Sequence, residues 1–567
     1  MTDADAHGTD RLGTAPRAVL AAFALVLLLF TKDEPGSWAD GSRLGTIQAL
    51  VEHGSLRLDE TDYLWQGDKI QVDGHFYGHQ PPMLAVLGAV PYAVLHHVLG
   101  RAIDDPHTYR VLTWCLVGLP LLLGLRALGL LFRRAGCGDG WGAVLLLLAS
   151  CGTLALPYAL VLNQHGAAAG LVLLALGAIA RRRPLVAGVL LSLAGTIDMT
   201  AIFAGVACLW PIWRHDGVSG VVRTTLGALP PLALHAGINL AVVGDLVPFA
   251  LHVEAFRYPL SPFLLMSLTG ATDAEPAGTQ VLYLWRASFG QSGLFSHHPV
   301  LVLALAAGVA LLLRRRGDAP ERADSAPGLP PGLLTAVALF SAGIAGYYLT
   351  QSRNLGGSAF GVRWFAVFAP ALALFPAAWL GARPPRWRAS PGLVALVAAT
   401  GLWSLAASAL GAVQPWTKFA YFWYQRPESL IADPGMQPPT WSEHVAREWA
   451  RIRNWRQPFE RRYFVDRYVD MLGRHARLRL KEWPGMTPAQ QEEWVRDGIA
   501  KLHEVVDVFR RGGDRSRAHA AAWFWLGKLH KRLGERVEAR RAFEEAIALD
   551  PNDGAARLAK ERLDAGE

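Results

Sequence analysis

Long apolar runs separated by short polar stretches fill residues 1–413. Several runs approach or exceed the roughly 18 residues that mark a membrane-spanning helix. The pattern therefore predicts an all-α protein, in which 1–413 form a polytopic transmembrane helical bundle. The apolar runs are 17–31, 82–99, 111–132, 141–162, 165–180, 184–213, 222–243, 294–313, 332–350, 364–382 and 390–413.

The composition supports this prediction. Of the 567 residues, 52% are hydrophobic and only 18% are charged, whereas a soluble protein has about 25% charged residues. A single soluble globular protein and a disordered chain are both excluded by these values. The cysteines lie in or beside apolar runs and have neither metal-site nor disulfide-framework spacing. They are Cys115, Cys137, Cys151 and Cys208.

The net charge of +8 comes largely from arginine clusters beside the apolar runs. Clusters of this kind mark the cytoplasmic ends of membrane spans. We therefore expect them to orient the chain in a membrane, and we expect no nucleic-acid partner. The clusters are Arg133-Arg134, Arg181-Arg182-Arg183, Arg314-Arg315-Arg316 and the segment 383–388.

The clusters also indicate which runs cross the membrane. Run 184–213 is too long for one span and contains a polar turn at 195–198, so it predicts two short spans. If run 82–99 crossed as well, the clusters would fall outside, against the positive-inside bias. That run begins at Pro81-Pro82, and it predicts an interfacial helix on the outer face.

About eleven spans then remain. The expected location is the inner (plasma) membrane of a bacterium, with the N-terminus cytoplasmic and the C-terminal domain extracytoplasmic. The inner loops are short and basic, whereas the first outer loop, 32–81, and the tail are long. A protein with most of its polar mass outside is expected to act on something outside.

Two segments follow the last apolar run. Residues 414–441 are rich in aromatic residues and proline. They predict an interfacial linker, either an aromatic belt at the membrane surface or a platform on which sugars stack. Residues 442–567 are polar and helical by pattern, and they predict a soluble α-helical domain.

The tail contains a tetratricopeptide-like repeat at about 519–552. It matches the pattern W-x2-L-G…A-x3-F-x2-A…P at its own spacing. One repeat cannot bury its own apolar face, so helices 488–511 and 553–564 are expected to cover it. The tail would be either a small helical cap or a docking surface for a protein partner. The matching residues are Trp523, Leu526, Gly527, Ala539, Phe543, Ala546 and Pro551.

The first outer loop holds the residues best suited to chemistry. Asp40 follows the first apolar run, and Leu44, Ile47, Leu50 and Val51 then share one helical face. We expect a helix that lies flat on the membrane with Asp40 at its start. An aspartate in that place could also serve only as the helix N-cap.

The order of motifs in this loop resembles the first outer loop of GT-C glycosyltransferases. The nearest branch is that of the protein O-mannosyltransferases and aminoarabinose transferases. Asp40 is followed by Arg43, a helix, a G-x-L turn at 54–56, a D-G-x-x-Y segment at 73–77 and P-P-x-L at 81–84. The resemblance extends along about 25–415 and includes 152–158 leading to His165, 293–299 and 356–364.

The resemblance implies an integral membrane glycosyltransferase that moves a sugar from a polyprenyl-phosphate donor to an acceptor on the outer face. Its first-loop acid, Asp40 here, would take the proton of the acceptor hydroxyl as that oxygen attacks the anomeric carbon. The leaving lipid phosphate needs cationic or hydrogen-bonding partners, for which Arg363, Arg43 and His165 are candidates.

Alternatives remain for two of these residues, since Arg363 could only anchor a span at the interface and His165 could be a structural hydrogen bonder. The expected partners are the polyprenyl-phosphate sugar and membrane lipids. No metal ligand or certain cofactor is assigned, and a divalent cation is left open.

The chain departs from the family in two places. Gly41 stands where many members have a second acid, and His79-Gln80 stand where many have an acid or lysine. Because histidine can carry a proton in place of an acid, His79 joins Asp40 as a candidate catalytic residue. Asp198 is a further acid inside a span, where a charge is costly and suggests either a function or a helix break.

A second hypothesis is a non-catalytic GT-C-like scaffold that serves envelope assembly through its tail. The missing second acid and the tetratricopeptide-like repeat motivate it. A transporter ranks third, because no inverted repeat of broken helices is recognisable.

Overall fold

The computed structural model describes residues 11–64, 66, 68–256, 279–290, 292–314, 328–352, 356, 359–413, 415–416, 487–511, 517–551 and 554–566. The predicted linker 414–441 lies outside these residues except for Pro415 and Trp416, and the segment 442–486 lies outside them entirely.

The described part contains helices and one small hairpin, which agrees with the predicted all-α class. In chain order the α-helices are α1 Thr14–Phe30, α2 Trp38–Glu52, α3 Met83–His97, α4 Pro106–Thr113, α5 Leu119–Arg134, α6 Asp139–Cys151, α7 Ala155–Ala159, α8 Gln164–Ala180, α9 Pro184–Ile197, α10 Ile202–Val243, α11 Thr279–Ser288, α12 Leu294–His297, α13 Val300–Arg314, α14 Leu333–Gln351, α15 Leu374–Gly381, α16 Pro385–Arg388, α17 Pro391–Val413, α18 Pro488–Arg511, α19 Arg517–Leu533, α20 Arg536–Leu549 and α21 Gly554–Asp564.

The chain divides into two compact units. The first consists of Met1–Pro35, Pro81–Leu246 and Thr269–Pro458. The second consists of Gly36–Gln80, Val247–Leu268 and Phe459–Glu567. The first outer loop therefore belongs to the second unit, while α1 and the helices from α3 to α17 belong to the first.

Four helical stretches among the described residues are long and apolar enough to cross a membrane. Seven other apolar helices in this part have 10–17 residues. At 1.5 Å per residue these are shorter than a hydrocarbon core of about 30 Å. The helices support a membrane protein, but the predicted count of eleven spans is not confirmed. The four stretches are Pro106–Arg134, Met199–Val243, Leu333–Gln351 and Pro391–Val413.

The predicted interfacial segment forms α3, which begins directly after Pro82 as the sequence suggested. Its 15 residues are too few to span a bilayer upright. Leu87, Val90 and Val94 are exposed at helical spacing, so the helix offers one apolar side to lipid. That α3 does not cross the membrane stays a prediction.

The long run 184–213 breaks where its polar turn predicted. Helix α9 ends at Ile197, a 3₁₀ turn covers Met199–Ala201, and α10 begins at Ile202. Helix α10 then continues through a kink at Gly217 to Val243. The end of run 184–213 and the whole of run 222–243 therefore lie in one bent helix.

Helices α9 and α10 pack closely because glycine removes the side chain at both contact points. A Cβ on Gly188 would lie 1.9 Å from the Thr224 carbonyl oxygen, and one on Gly227 would lie 2.1 Å from that of Leu185. Neither position can hold a larger residue without separating the helices.

Two other apolar runs were wrongly predicted as single helices. Run 141–162 breaks after Cys151, because the Thr153 hydroxyl donates to the Ala149 carbonyl at 2.8 Å and accepts the Ala155 N–H at 3.1 Å, replacing helical bonds. Run 364–382 begins as 3₁₀ turns at Arg363–Val367 and Ala369–Ala373 and becomes helical only in α15.

In the second unit, the first-loop segment pairs α2 with an antiparallel hairpin. Strand β1 is Lys69–Val72 and strand β2 is His75–Gly78. The two-residue turn between them is Asp73-Gly74, both with positive φ, 50° and 81°. This conformation suits the Asp-Gly pair and matches the twist of the strands. Part of the D-G-x-x-Y motif is therefore a turn signal.

The tail forms the helical hairpin of a tetratricopeptide repeat from α19 and α20. A Cβ on Gly527 would lie 2.5 Å from the ring of Phe543, which is fully buried together with Leu526 and Ala546. Val495 and Leu502 of α18 and Ala556 of α21 join the same apolar core. The two flanking helices thus cover the repeat as predicted.

Candidate functional site

The N-terminus of α2 is a capping box that includes Asp40. Ser37 is the N-cap, and its hydroxyl accepts the Asp40 N–H at 3.2 Å. The Asp40 carboxylate reaches back and accepts the Gly36 N–H at 2.9 Å. Asp40 is therefore not the N-cap itself but the third helical residue, and its charge favours the helix N-terminus.

Helix α2 does not expose a polar face in the way the expected flat membrane helix would. Every residue from Ala39 to Ala49 is buried, including Asp40 with no exposed surface and Arg43 with 2%. The expectation of an amphipathic surface helix is wrong. Leu58 and Tyr63 of the following loop lie against Gly45 and contribute to this burial.

A chain of polar contacts links the candidate first-loop residues. Arg43 Nη1 lies 3.7 Å from Asp40 Oδ1, and Arg43 Nη2 donates to Gln80 Oε1 at 3.0 Å. Gln80 Nε2 in turn lies 3.1 Å from Asp68 Oδ2 and 3.2 Å from His79 Nδ1. Asp40, Arg43 and His79 are thus brought into one network, which is buried at Asp40 and Arg43 and half-buried at His79.

Gln80 is the centre of this network, although the sequence marked it only as a departure from the family. A side-chain amide can accept from an arginine through its oxygen and donate to a carboxylate through its nitrogen at once. Since the amide nitrogen only donates, His79 Nδ1 accepts, and a neutral His79 then carries its proton on Nε2. The His79 ring also meets Phe256 edge to face at 5.0 Å.

The other two candidates lie in the first unit. His165 is in the first turn of α8, where the Asn163 side chain caps the helix by accepting the Gly166 N–H at 2.9 Å. His165 Nδ1 is 2.6 Å from Asp198 Oδ2, and both side chains are almost fully buried. The buried acid Asp198 therefore has a specific partner.

Asp198 continues into a second set of hydrogen bonds. Its Oδ1 accepts both the N–H and the hydroxyl of Thr200, at 3.2 Å and 2.8 Å, which caps the turn that follows. The Tyr348 ring stacks on the ring of Trp364, the neighbour of Arg363, at 4.2 Å. Thr200 and Tyr348 had no sequence signal, because Thr200 lies in a short 3₁₀ turn and Tyr348 on an apolar helix, both far along the chain from His165.

Arg363 lies among aromatic side chains near this cluster. Its guanidinium carbon is 5.4 Å from the centre of the Trp416 ring, and the centre of that ring is 5.8 Å from the centre of the Tyr158 ring. The Arg363 Nε atom is buried without a hydrogen-bond partner among the described residues. The turn that begins at Arg363 packs against α8, which carries His165.

An apolar cavity of about 500 Å³ lies in the same unit. It lies between α13, α14 and the 3₁₀ turns before α15. Its walls include Leu349, next to Tyr348 in the chain, and Phe365 and Phe368, which closely follow Arg363. The residues that follow Arg363 in the chain thus line space that suits a hydrocarbon chain.

The histidines of segment 293–299 have local structural roles. His297 Nδ1 lies 2.7 Å from the Gly293 carbonyl oxygen, and its ring meets Phe360 edge to face at 4.9 Å. His298 is fully buried beside Ser408. Within the described ranges, no three His, Cys, Asp or Glu side chains form a group that could hold a metal ion.

Comparisons with known proteins add one firm assignment. The tetratricopeptide repeat family matches residues 520–553. No curated protein matches the chain. Among solved structures, the chain is similar to the oligosaccharyltransferase of Archaeoglobus fulgidus, crystallised with a tethered acceptor peptide that contains the NVT sequon, with a TM-score of 0.39 and 14% identity. This likeness covers 78% of the present chain and 60% of the archaeal one, so the chain spans less than two thirds of that protein. The tail therefore contains a tetratricopeptide repeat, as its residue pattern predicted.

Proposed function

We propose that the protein is an integral membrane glycosyltransferase of the GT-C type. It transfers a sugar from a polyprenyl-phosphate donor to an acceptor on the outer face of a bacterial inner membrane. The observation that carries the proposal is the buried Asp40–Arg43 pair, which opens the first-loop helix at the place where the resembling family has its base.

Asp40 is proposed as the general base. The acceptor oxygen attacks the anomeric carbon, its proton passes to the Asp40 carboxylate, and the bond from that carbon to the phosphate oxygen breaks. Because Asp40 is fully buried, the acceptor has to reach it through a movement of the first-loop segment. Catalytic hydrogen bonds often form only in the substrate complex, and Arg43 and His79 are proposed to support this site.

Arg363 and His165 are proposed to bind the donor phosphate. Two observations support this. Arg363 Nε is buried without a hydrogen-bond partner among the described residues, and Phe365, two residues later in the chain, lines the apolar cavity. A polyprenyl phosphate has matching chemistry, since an anionic head is joined to a long hydrocarbon chain. Charge-assisted bonds to the departing phosphate would stabilise the charge that develops there.

The test is transfer from radiolabelled polyprenyl-phosphate sugars in membranes that contain the full chain. We expect transfer from at least one donor in a broad panel, and loss of it in Asp40→Asn. Asp59→Asn is the matched control, because Asp59 lies in the same loop and is partly exposed. If no donor gives transfer above the Asp40→Asn level, the proposal is wrong.

The second candidate function is a non-catalytic scaffold that acts through the tail. Two observations favour it. The tail contains a tetratricopeptide repeat, and Asp40 already has a structural role in the capping box. Crosslinking of the full chain in native membranes distinguishes the two functions. A stoichiometric partner that is lost on Gly527→Leu, with Asp40→Asn indistinguishable from wild type, would favour the scaffold.

A further inference from the structure

The buried His165–Asp198 pair is the feature of the first unit that the proposed roles leave unexplained. Burying an ionisable pair in an apolar helical unit is costly. The two residues come from separate elements, the start of α8 and the turn between α9 and α10. The start of α8 and the turn at Asp198 would each form without this contact, so the pairing needs a reason of its own.

The two carboxylate oxygens of Asp198 are assigned to different partners. Oδ1 accepts two hydrogen bonds from Thr200, while Oδ2 faces His165 Nδ1 at 2.6 Å. An ionised carboxylate only accepts, so His165 donates through Nδ1–H. The bond fixes both the orientation of the imidazole ring and the nitrogen that carries the proton.

The same network reaches the neighbourhood of Arg363. The turn of Arg363 packs on the helix of His165, and the Tyr348 ring stacks on Trp364, next to Arg363, at 4.2 Å. Trp416 lies 5.4 Å from the Arg363 guanidinium and 5.8 Å from the ring of Tyr158, whose carbonyl accepts from the Asn163 side chain that caps α8. Tyr109 and Tyr158 also lie near the start of α8, where the Tyr109 hydroxyl accepts the Leu162 N–H and the Tyr158 hydroxyl donates to the Phe360 carbonyl.

We propose that Asp198 is a positioning residue that holds His165 toward the same phosphate group that Arg363 binds. This inference rests on the proposed function, because it takes the ligand of Arg363 to be a lipid phosphate. Thr200 holds Asp198 in turn, through the two hydrogen bonds that it donates to Oδ1.

The variant Asp198→Asn separates this role from a purely structural one. Asparagine keeps the volume and the acceptor that caps the turn at Thr200. Its amide nitrogen, however, presents a donor to His165 Nδ1, which must then become an acceptor and move its proton to Nε2. A structural cap would tolerate this change, whereas an oriented histidine would not.

The experiment measures the binding of a polyprenyl monophosphate, and of the matching polyprenol, to the full chain in nanodiscs. We expect wild type to prefer the phosphate. Asp198→Asn and His165→Gln should each reduce that preference about tenfold or more, as expected for a lost hydrogen bond to a charged group. The double variant should lose no more than either single one. Thr196→Val, a buried neighbour outside the network, is the control and should bind as wild type does.

Equal preference for phosphate in wild type and Asp198→Asn would overturn the inference, and so would losses that add in the double variant. If Asp198→Asn fails to fold, the preference of His165→Gln for the phosphate tests the inference instead. Glutamine still donates to Asp198, so this variant keeps the buried carboxylate paired. Binding is measured without turnover, so the two proposals fail separately. Phosphate binding that depends on Asp198 without any sugar transfer would contradict only the proposed function.

Discussion

Asp40 and Asp198 are both buried acids next to the start of a helical segment, but they are held in different ways. Asp40 bonds to backbone and side-chain groups within four residues of it, and its Arg43 partner lies on the same helix at 3.7 Å. Asp198 pairs with a histidine 33 residues away at 2.6 Å. The difference teaches that a local capping signal can be found in the sequence, whereas a partner on another helix cannot.

Both acids are expected to lie toward the outer face of the membrane. Cysteine labelling tests this topology with an all-or-none result. After removal of the native cysteines, single cysteines replace Ser55, Ser358 and Ser516. A membrane-impermeant reagent is expected to label all three in intact cells, because charge places every arginine cluster inside. Protection of Ser55→Cys together with labelling of Ser358→Cys would show that α3 crosses the membrane and that the catalytic proposal is wrong.

The local pair around Asp40 is expected to contribute strongly to stability. Arg43→Met leaves the buried Asp40 charge without its cation and should lower the free energy of unfolding by about 3–5 kcal/mol. The double variant Asp40→Leu/Arg43→Met should regain most of this, because an apolar pair is often as stable as a buried ion pair. Thermal unfolding of the purified protein measures both. A single variant as stable as wild type would show that the pair is not needed for folding.

Arg363→Lys tests whether the first unit binds an anion or only anchors a span. Lysine keeps the charge but lacks the planar group that lies over Trp416 and can bind a phosphate through two bonds. We expect the KM for the donor to rise about tenfold, the effect of losing about 1.4 kcal/mol of binding, with a smaller change in kcat. An interface anchor would tolerate lysine without any change in KM, since both side chains reach the membrane surface equally well.

The smallest effect is expected in the tail, which contains neither acid. Burial, followed by the charge of His530, lowers the pKa of His503 below its ordinary value of 6.5. The unfolded chain therefore binds this proton more readily, and the tail loses stability as the pH falls through 6.5. Hydrogen exchange of α19 and α20 at pH 7.5 and 5.5 should show this loss, and His503→Gln should reduce it. An unchanged pH dependence in the variant would assign the effect to another group.

Helix positions and the tail were largely predictable from the sequence. The tetratricopeptide residues are close in sequence and pack against one another, so their spacing alone defines the hairpin. The break at Asp198 and the start of α3 after Pro82 also follow from local residue chemistry. Runs 141–162 and 364–382 were misjudged because apolar content does not reveal where a threonine side chain or a 3₁₀ turn replaces α-helical bonds.

The candidate site was predictable only in part. Asp40 and Arg43 share one helix turn, so their proximity follows from helical spacing. Gln80 as the link to Asp68 and His79, and His165 as the partner of Asp198, depend on how distant segments pack. The burial of α2 was missed for the same reason, since its apolar face suggested lipid and its polar face suggested water.

The most direct test of the central claim compares the rate of sugar transfer in Asp40→Ala and Ser37→Ala. Ser37→Ala loses only the N-cap hydrogen bond, which costs about 1 kcal/mol in stability. Asp40→Ala also leaves the buried Arg43 without its anion, which costs about 3–5 kcal/mol, but only this variant removes the proposed base. The account predicts a loss of about 10²–10⁴ in rate for Asp40→Ala and nearly normal transfer for Ser37→Ala. A folded Asp40→Ala protein that transfers sugar as fast as Ser37→Ala would contradict the base role of Asp40.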